Sequence, residues 1–393
     1  MRRLSICVFA SLVGLACGAD NSTGAPGSGS STSSGTSSSS TTGGSGGSGT
    51  VTSTGAGNTT STGTGNTTST GTGSSTSAGA GGSGGGGGSA VGAGGGAGVA
   101  VGGADAGRAK ADEELCGNVA LAATKTIAAN TITSVCAGAV VSAAAGKNVS
   151  IVVQGTLRVE GTMAMPAKFE ASAHGAMANW QGIVIDQGGS LVMTYGEVRD
   201  AKISLETKAG STYQIDHVLT EYSDMELKLA STGTIDHGVF HGRGATQSEK
   251  PVQIISASPK ITNSLFDKGK GPGGPDTIVV SGAASAPVFD HIDVSASHCA
   301  FHFNEGTGAT ISNSFVHNNT YGLMVEASSM NKIFHNNFVD NAIQLGTCQA
   351  SASAEVKDNF FMQRSGGDVF AAECSKLKNT MPAAAAHTDV GPK

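Results

Sequence analysis

The sequence has few charged and few aromatic residues. Of its 393 residues, 13% are Asp, Glu, Lys or Arg and 5% are Phe, Trp or Tyr, and the formal net charge is -6. This composition argues against the strongly basic surface that nucleic-acid binding requires. We therefore expect no nucleic-acid partner.

Charge is absent from one long segment. No charged residue occurs from Asn21 to Ala104, where Ser, Thr and Gly dominate. Such a segment cannot bury enough apolar surface to offset the entropy lost on ordering. We expect residues 18–112 to form a flexible, disordered linker.

A hydrophobic run long enough to span a membrane is also missing from the N-terminus. Met1-Arg2-Arg3 precedes a mostly apolar run from Leu4 to Ala16, which is too short for a mature membrane helix. A basic start and a short apolar core are typical of an export signal, here residues 1–17. Cys17 resembles the acylated cysteine of bacterial lipoproteins; ordinary signal cleavage is the alternative. We expect an outer-membrane or cell-surface lipoprotein, anchored only by its lipid, or a secreted protein.

Helical periodicity is absent from the rest of the chain, and a short phrase recurs instead. No repeat has helical spacing over a stretch long enough for a helix, which argues against leucine-rich and ankyrin-type repeats. The phrase is an apolar residue, any residue, a turn-tolerant residue, any residue, and one or two apolar residues. Its copies begin 20 to 28 residues apart, a period that indicates a stacked solenoid. They are Met193–Val198, Ile215–Leu219, Ile235–Phe240, Ile261–Phe266, Phe289–Val294, Ile311–Val316, Phe334–Val339 and Val356–Phe361.

A second apolar alternation precedes each phrase, as in Ile183-Val184-Ile185 and Phe301-His302-Phe303. Alternation with period two predicts strands whose first and third residues point inward, so each coil holds at least two strands. Equivalent strands of successive coils run in the same direction and should pair in parallel. The strict hexapeptide period of left-handed coils is absent, and parallel connections are right-handed in nearly all cases. We predict an all-β, right-handed parallel β-helix of about 8–10 coils over residues 149–365.

The third position of the phrase is occupied mainly by His, Asn and Asp. These are the non-glycine residues that best tolerate the left-handed backbone region. Stacked Asn side chains also hydrogen-bond along a stack. We predict a structural turn ladder formed by His217, His237, Asn263, His291, Asn313, Asn336 and Asp358.

With Asn263, Asn313 and Asn336 beside their apolar neighbours, residues 149–365 resemble the right-handed parallel β-helix repeat proteins. This pectate-lyase-like group includes pectate lyases, rhamnogalacturonases and many surface proteins. The resemblance implies the fold and little about chemistry. The Asn-Thr-Asp and Gly-His-Gly motifs of polygalacturonase-like hydrolases are absent from the sequence, as is the Arg-containing strand pattern of pectate lyases. No catalytic residue is carried over.

The cysteines fit an oxidising compartment. Cys116 and Cys136 flank the segment before the first coils, and Cys348 and Cys374 flank the last ones, where the ends of a solenoid need capping. We predict the disulfides Cys116–Cys136 and Cys348–Cys374. Cys299, on the inward parity of its strand, is expected to be a buried thiol. The caps are then residues 113–148 and, with the C-terminal tail, residues 366–393.

Two carboxylates are candidates for chemistry. Asp216 and Asp236 hold the second position of the phrase on adjacent coils, one strand spacing apart. Carboxylates that close repel unless a cation or a shared proton intervenes, so they predict an acid/base pair or a calcium site. The alternative is a solvated acidic step on an exposed face. We expect no other cofactor or metal, because the histidines show no zinc-site spacing.

Two long insertions follow neighbouring phrases and should stand side by side. They bring His241, Arg243 and Lys268 to the flank beside Asp236, where a cation would neutralise a uronate or act as a base in eliminative cleavage. The alternative is a pair of mobile surface loops. The catalytic candidates are Asp216, Asp236, His241, Arg243 and Lys268.

An outward row on the opposite side of each coil contains Lys228, Gln253 and His302, which suits contact with a glycan or a protein. The favoured function is a monomeric, surface-displayed β-helix for adhesion or for binding a polysaccharide or a surface protein. The alternative is a polysaccharide lyase or glycoside hydrolase that acts on acidic glycans.

Overall fold

The apolar alternation of the repeats folds as short strands that stack into three faces around one core. The computed structural model describes residues 109–146, 148–174, 180–304, 306–326, 330–348, 353–362, 379–380, 383 and 385–393. Ten strands form the first face, and a twenty-stranded sheet forms the second and third faces. Successive coils pair in parallel on every face. The all-β parallel solenoid is therefore confirmed, with three strands in each coil where the sequence predicted at least two.

The faces consist of strands at a regular sequence spacing. The first face comprises Lys125–Ile127, Ser150–Val153, Gly182–Ile185, Ile203–Thr207, Met225–Leu229, Val252–Ile255, Ile278–Ser281, Cys299–Phe303, Tyr321–Val325 and Ile343–Cys348. The second comprises Glu113–Leu115, Ile132–Val135, Thr156–Glu160, Lys260–Thr262, Val288–Asp290, Thr310–Ser312, Met330–Phe334, Ser353–Lys357 and Asn379–Thr380. The third comprises Asn118–Leu121, Val140–Ala143, Ala167–Ala171, Leu265–Asp267, Asp293–Ser295, Phe315–His317, Asn337–Val339 and Phe360–Met362. Three longer strands bend through the second and third faces: Ser190–Arg199, Thr212–Glu221 and Thr234–His241.

Helix is nearly absent from the described residues. The single helical segment among them is the 3-10 turn Gly244–Thr246. No helix in this part of the chain has the length and apolar character needed to cross a membrane.

The core is a set of columns in which like residues stack on like. One column on the first face has exposed fractions of 0–1%, and it consists of Ile183, Leu205, Leu227, Val252, Ile278, Phe301, Leu323 and Leu345. Full burial of such a side chain contributes about 1.5–3 kcal/mol. The Phe240 and Phe266 rings also stack across coils, with centroids 4.7 Å apart. The pairing register of the strands is therefore strongly specified, because a shift by one residue would move the side chains of each column from the core to the surface.

The bend between the second and third faces is made by residues with positive φ. Their φ angles lie between 47° and 58°, and they are Tyr195, His217, His237, Asn263, His291, Asn313, His335 and Asp358. One predicted ladder residue is corrected, because the bend residue in its coil is His335 and not Asn336. Ile333 pairs with Ile311 in the core. The phrase therefore starts one residue earlier than predicted, and two adjacent asparagines made either register look acceptable.

Asn336 instead belongs to a buried ladder just inside the bend. Its Oδ1 accepts the backbone N–H of Ser314 at 2.9 Å, and its Nδ2 donates to the carbonyl of Ile311 at 3.1 Å. Its Nδ2 also donates to Oδ1 of Asn359 on the next coil at 2.9 Å. Asn336 and Asn359 are both fully buried. Their amides satisfy backbone groups that the strand ladders leave unpaired.

The N-terminal coils carry the disulfide Cys116–Cys136. The strands between Glu113 and Ala143 pair with the main sheets, so the coils begin within the segment assigned to a cap. Cys299 is a buried thiol. The export signal, Cys17, the linker up to residue 108 and Cys374 lie outside the described residues, as does the Cys348 side chain, so the second disulfide stays a prediction.

Candidate functional site

The end of the third face places three ionisable side chains in one column. Glu221, His241 and Asp267 pair in register on successive coils. Tyr222 and Lys268 follow two of these residues directly and have φ angles of 60° and 59°. The chain turns there towards the first face. Adjacent coils therefore bring these side chains to one corner, at backbone separations of about 4.8 Å per coil.

The loop after His241 is held against the next coil by its own backbone. The N–H of Gly242 donates to the carbonyl of Asp267 at 2.8 Å, and that of Gly244 donates to the carbonyl of Lys268 at 2.6 Å. A Cβ on Gly242 would lie 2.8 Å from the carbonyl oxygen of Lys268, so this approach requires glycine. The two insertions thus lie side by side.

A pocket of about 590 Å³ opens at this corner, a size typical of small-ligand sites. We call it the corner pocket. It is lined by Glu221, Tyr222, His241, Gly242, Arg243, Gly244, Thr246 and Lys268. Three of the catalytic candidates, His241, Arg243 and Lys268, come together in it.

Most charged groups of the corner pocket are paired. Glu221 lies 2.9 Å from Arg199, and Arg243 forms an ion pair with Asp224. Nδ1 of His241 is hydrogen-bonded to Oδ1 of Asp267. The exposed ammonium of Lys268 enters no ion pair within the described part of the chain. It is therefore available to an anionic ligand.

A buried acid lies close to Arg243. Glu226, in the first-face strand Met225–Leu229, is fully buried. Burial raises the pKa of Glu226 well above its ordinary value of 4.5, against the opposing effects of its own backbone N–H and of the Arg243 charge. The protonated form of Glu226 is favoured, so the Asp224 carboxylate is what pairs with Arg243.

Asp216 and Asp236 lie away from the corner pocket, at the bend. Each is five residues before Glu221 or His241 on the same strand, a contour length of roughly 16 Å at 3.3 Å per residue along a strand that bends at His217 or His237. The expectation that the insertions approach Asp236 is therefore corrected. The third face separates the two groups of candidates.

The surroundings of these two aspartates do not resemble a calcium site. Oδ1 of Asp236 accepts hydrogen bonds from Thr262 at 2.7 Å and from Asn263 at 2.8 Å. Burial raises the pKa of Asp236, and these bonds outweigh it, so its pKa is lowered overall. Nδ1 of His237 lies 3.4 Å from Asp216 and 3.3 Å from Asp236. Calcium prefers a shell of about six to eight oxygens, whereas an imidazole stands between these carboxylates.

The three candidates for partner binding share one outward row of the first face. Lys228 pairs with Gln253, and the row continues through Val279 to His302. Nζ of Lys228 lies 3.1 Å from Glu206. Burial raises the pKa of Glu206, but the bonds from Lys208 and Lys228 outweigh it and lower the pKa. The charge of Lys228 is thus already compensated.

A second cluster, which we call the sulfur cluster, lies at the start of the first face. Sγ of Cys299 is 3.1 Å from Sδ of Met324 and 3.7 Å from Nδ1 of His298. Nδ1 of His298 is 3.4 Å from Oδ1 of Asp276. Both sulfur-bearing residues are buried, while the side chains of His298 and Asp276 are 14% and 13% exposed. The cluster is therefore reached from solvent through its imidazole and carboxylate.

His302 fixes the carboxylate of this cluster. Its Nδ1 is 2.7 Å from Oδ2 of Asp276, and its Nε2 is 3.1 Å from Oε1 of Glu326. Burial lowers the pKa of His302, but the two carboxylates outweigh this effect and raise it. Burial likewise raises the pKa of Asp276, and hydrogen bonds from His298 and His302 overcome it, so this pKa falls well below its usual range.

Sequence reasoning did not single out Tyr222, and it did not join Asp276 or Met324 to Cys299. Coil register was the available signal for two of them. Tyr222 occupies the corner position equivalent to Lys268, and Asp276 precedes Ile278 by as much as Cys299 precedes its partner Phe301.

Comparisons with known proteins found a family match and a similar solved structure. A model of the NosD family, described as a periplasmic copper-binding protein, matches residues 278–369. A periplasmic family is in line with export. No curated protein matches the chain. The crystal structure of alginate lyase from Paenibacillus sp. str. FPU-7 is similar at 12% identity, with 72% of this chain and 100% of that chain covered and a TM-score of 0.31.

Parallel pairing along three faces, a positive-φ bend in each phrase and the matched family model point to one conclusion. The chain is a right-handed parallel β-helix repeat protein.

Proposed function

We propose that this protein is an exported β-helix that binds an acidic polysaccharide through the corner pocket. The observation that carries the proposal is the exposed Lys268 ammonium, without an ion pair in the described part of the chain, in a pocket that Tyr222 also lines. Tyr222 is 56% exposed. An aromatic face supplies apolar contact area for a sugar ring, and a cation beside it binds a carboxylate through charge-assisted hydrogen bonds.

The groups that line the pocket are held in place, which favours binding of a ligand with a defined shape. Arg243 is held by Asp224, and the loop backbone is tied to the next coil through Gly242 and Gly244. Binding groups that are fixed before the ligand arrives lose less entropy on association. A chain of uronate residues supplies carboxylates to the cations and hydroxyl groups to the histidine and the threonine of the lining.

We also propose that the N-terminal segments display the solenoid at the cell surface. The signal over residues 1–17 exports the chain, acyl groups on Cys17 anchor it, and the linker holds the solenoid away from the membrane by a reach of about 50 Å. Mass spectrometry of the mature N-terminus should find diacylated Cys17. An unmodified terminus downstream of this residue would refute the anchor.

The binding proposal is tested with the purified chain and two polysaccharides, a polyuronate and a neutral glycan. Binding should be selective for the polyuronate and should weaken with added salt. Lys268→Ala should reduce polyuronate affinity by roughly three- to tenfold, as expected for one exposed charge contact. Lys270→Ala is the matched control, because Lys270 is exposed on the same insertion but does not line the pocket. Equal affinity for the neutral glycan, or an equal effect of both variants, would reject the proposal.

Eliminative cleavage is a second candidate, favoured by the hydrogen bond between His241 and Asp267. In that reaction a base removes the proton next to the carboxylate, and the bond to the glycosidic oxygen on the adjacent carbon breaks. A double bond forms between these carbons, and the leaving oxygen takes up a proton. Asp267 would orient His241 as the base, and Tyr222 would donate the proton.

Elimination produces a conjugated unsaturated end group that absorbs ultraviolet light. His241→Ala should abolish this absorbance while polyuronate binding persists. The absence of unsaturated ends with polyuronates that bind well would remove this candidate and leave binding as the function.

A further inference from the structure

We propose that two stacked histidines and two aspartates at the bend between the second and third faces bind a zinc(II) ion. The set consists of Asp216, His217, Asp236 and His237, and we call it the bend cluster. Ligand atoms of Asp216, His217 and His237 all lie within 4.8 Å of one another. Asp236 approaches from its own coil, with Oδ2 3.3 Å from Nδ1 of His237. Two nitrogen and two oxygen donors thus come together outside the corner pocket.

The stacking of coils brings these donors together. Asp216 pairs in register with Asp236, and the rings of His217 and His237 stack with their centroids 4.5 Å apart. Both histidines have positive φ angles, 58° and 53°, so the two rings leave the chain from the same turn conformation. The donors lie one coil apart in the chain, which is why their spacing does not resemble a zinc motif in the sequence.

The Nδ1 atoms of both histidines lack hydrogen bonds. They are buried atoms without a hydrogen-bond partner within the described residues. Oδ1 of Asp216 lies 2.7 Å from Nδ1 of His217 and 3.4 Å from Nδ1 of His237, but these contacts do not have the alignment of hydrogen bonds. Buried polar atoms normally have partners. A cation that binds the two nitrogen lone pairs supplies them.

The mixture of donors and the distances between them favour zinc. Calcium and magnesium take oxygen ligands, whereas imidazole together with carboxylate suits zinc. A tetrahedral zinc ion with bonds of about 2.0–2.1 Å holds its ligand atoms about 3.3 Å apart. Nδ1 of His237 lies 3.4 Å from Asp216 and 3.3 Å from Asp236, which matches this separation. The two carboxylates also balance the charge of the ion.

Neighbouring side chains hold one of the carboxylates in place. Oδ1 of Asp236 accepts hydrogen bonds from Thr262 and Asn263, which leaves its Oδ2 on the side of His237. Such outer contacts orient metal ligands.

The bend cluster is open to solvent. The side chains of His217 and His237 are each 35% exposed, so an ion can reach them and the rings can turn. The rings are now nearly parallel, at 8°, and binding tilts them until each Nδ1 lone pair points at the ion. Any proton on these nitrogens passes to solvent as the zinc–nitrogen bonds form.

The test uses the full chain, stripped of metal with a chelator and titrated with zinc(II) against a chromophoric zinc indicator. His237→Asn should weaken zinc affinity by about tenfold or more, because it removes one ligand. Asparagine occupies the same bend position in other coils, as Asn263 and Asn313 do, so this variant keeps the bend. X-ray absorption at the zinc edge should show two imidazoles and otherwise only oxygen ligands.

His291→Asn is the matched control. His291 has the same bend conformation and lies beside its own aspartate, with Nδ1 3.2 Å from Asp290. The bend positions of both adjacent coils are asparagines, Asn263 and Asn313, so no second imidazole stacks on it. This variant should leave zinc affinity unchanged. Failure of the wild type to bind zinc, equal affinity of the wild type and His237→Asn, an equal loss in both variants, or sulfur ligands in the absorption spectrum would overturn the proposal.

Discussion

His241 and Asp267 occupy equivalent positions on neighbouring coils, and Nδ1 of His241 is hydrogen-bonded to Oδ1 of Asp267. The stacking of coils, and not proximity in sequence, creates this pair. It stands at the edge of the corner pocket, where Lys268 follows Asp267 directly in the chain. Asp267 therefore places a negative charge next to the pocket and also orients the imidazole of His241.

Asp267→Asn should separate binding from turnover. It removes a negative charge beside the pocket, so polyuronate affinity should rise by about two- to fivefold at low salt. If His241 acts as a base, the same variant should lower the rate of unsaturated-product formation, because the amide orients the imidazole less well. Isothermal titration calorimetry and the ultraviolet assay measure the two effects. Weaker binding by Asp267→Asn would contradict the electrostatic argument.

Asn336→Ala should destabilise the solenoid by about 2–4 kcal/mol, because it leaves a buried N–H of Ser314 and a buried carbonyl of Ile311 without partners. Lys332→Ala, on the exposed side of the adjacent strand, is the control and should change stability by less than about 0.5 kcal/mol. Urea denaturation monitored by circular dichroism measures both. Equal effects of the two variants would show that the buried ladder is not needed for stability.

Glu226→Gln should stabilise the protein near neutral pH. The folded-state pKa of Glu226 is raised, so the folded state keeps a proton that the unfolded chain releases above its ordinary value of 4.5. The contribution of Glu226 to the free energy of unfolding is therefore greatest below pH 4.5. It falls as the pH rises towards the folded-state pKa of Glu226. Glutamine does not ionise, so the gain should be present at pH 7 and absent below the ordinary pKa of 4.5.

Thermal denaturation of both proteins from pH 4 to pH 8 checks this expectation. The gap between Glu226→Gln and the wild type should widen as pH increases. A constant gap would mean that Glu226 is ionised in the folded state and matched by a partner.

The C-terminal tail should loosen as pH rises. Nδ1 of His335 lies 3.0 Å from Asp358, and its Nε2 lies 3.1 Å from Asp389 in the tail. The bond to Asp358 raises the pKa of His335 above 6.5, against a smaller opposing effect of desolvation, and Asp389 adds to the increase. The contact is fully present below the ordinary value and is lost as pH rises through the folded-state pKa. Hydrogen exchange near His387, whose N–H donates to Asn337, should accelerate over that window.

Asp389→Asn is the companion variant for the tail. It should lower the pKa of His335, which NMR titration of the imidazole measures directly. A His335 pKa at or below 6.5 in the wild type would contradict the proposed coupling.

The fold was predictable from sequence because each coil requires the same types of residue at equivalent positions. Columns such as Leu227, Val252 and Ile278 need apolar residues at a fixed period, and the bend needs residues that tolerate positive φ. The register at Asn336 was not predictable from the phrase alone, since His335, Asn336 and Asn337 all satisfy its polar positions. The pairing of Ile333 with Ile311 in the core decides between the alternatives. This pairing is seen only when the coils are stacked in the structure.

The candidate sites were predictable only in part. His241, Arg243 and Lys268 stood out because insertions interrupt the period at neighbouring coils. Tyr222 is equivalent to Lys268 in coil register, but no insertion follows it, so it did not stand out in the sequence. The contact between Met324 and Cys299 depends on side-chain conformation across two coils, which periodicity does not encode.

Hydrogen-exchange mass spectrometry of the full chain, with and without a bound polyuronate, tests most directly whether the polysaccharide binds in the corner pocket. The polysaccharide should slow exchange in peptides that cover residues 241–247 and 265–271. Peptides of the first-face row around Gln253 and of the bend around Asp216 should be unchanged. Protection confined to that row or to that bend, with the corner peptides unaffected, would contradict the assignment of the site.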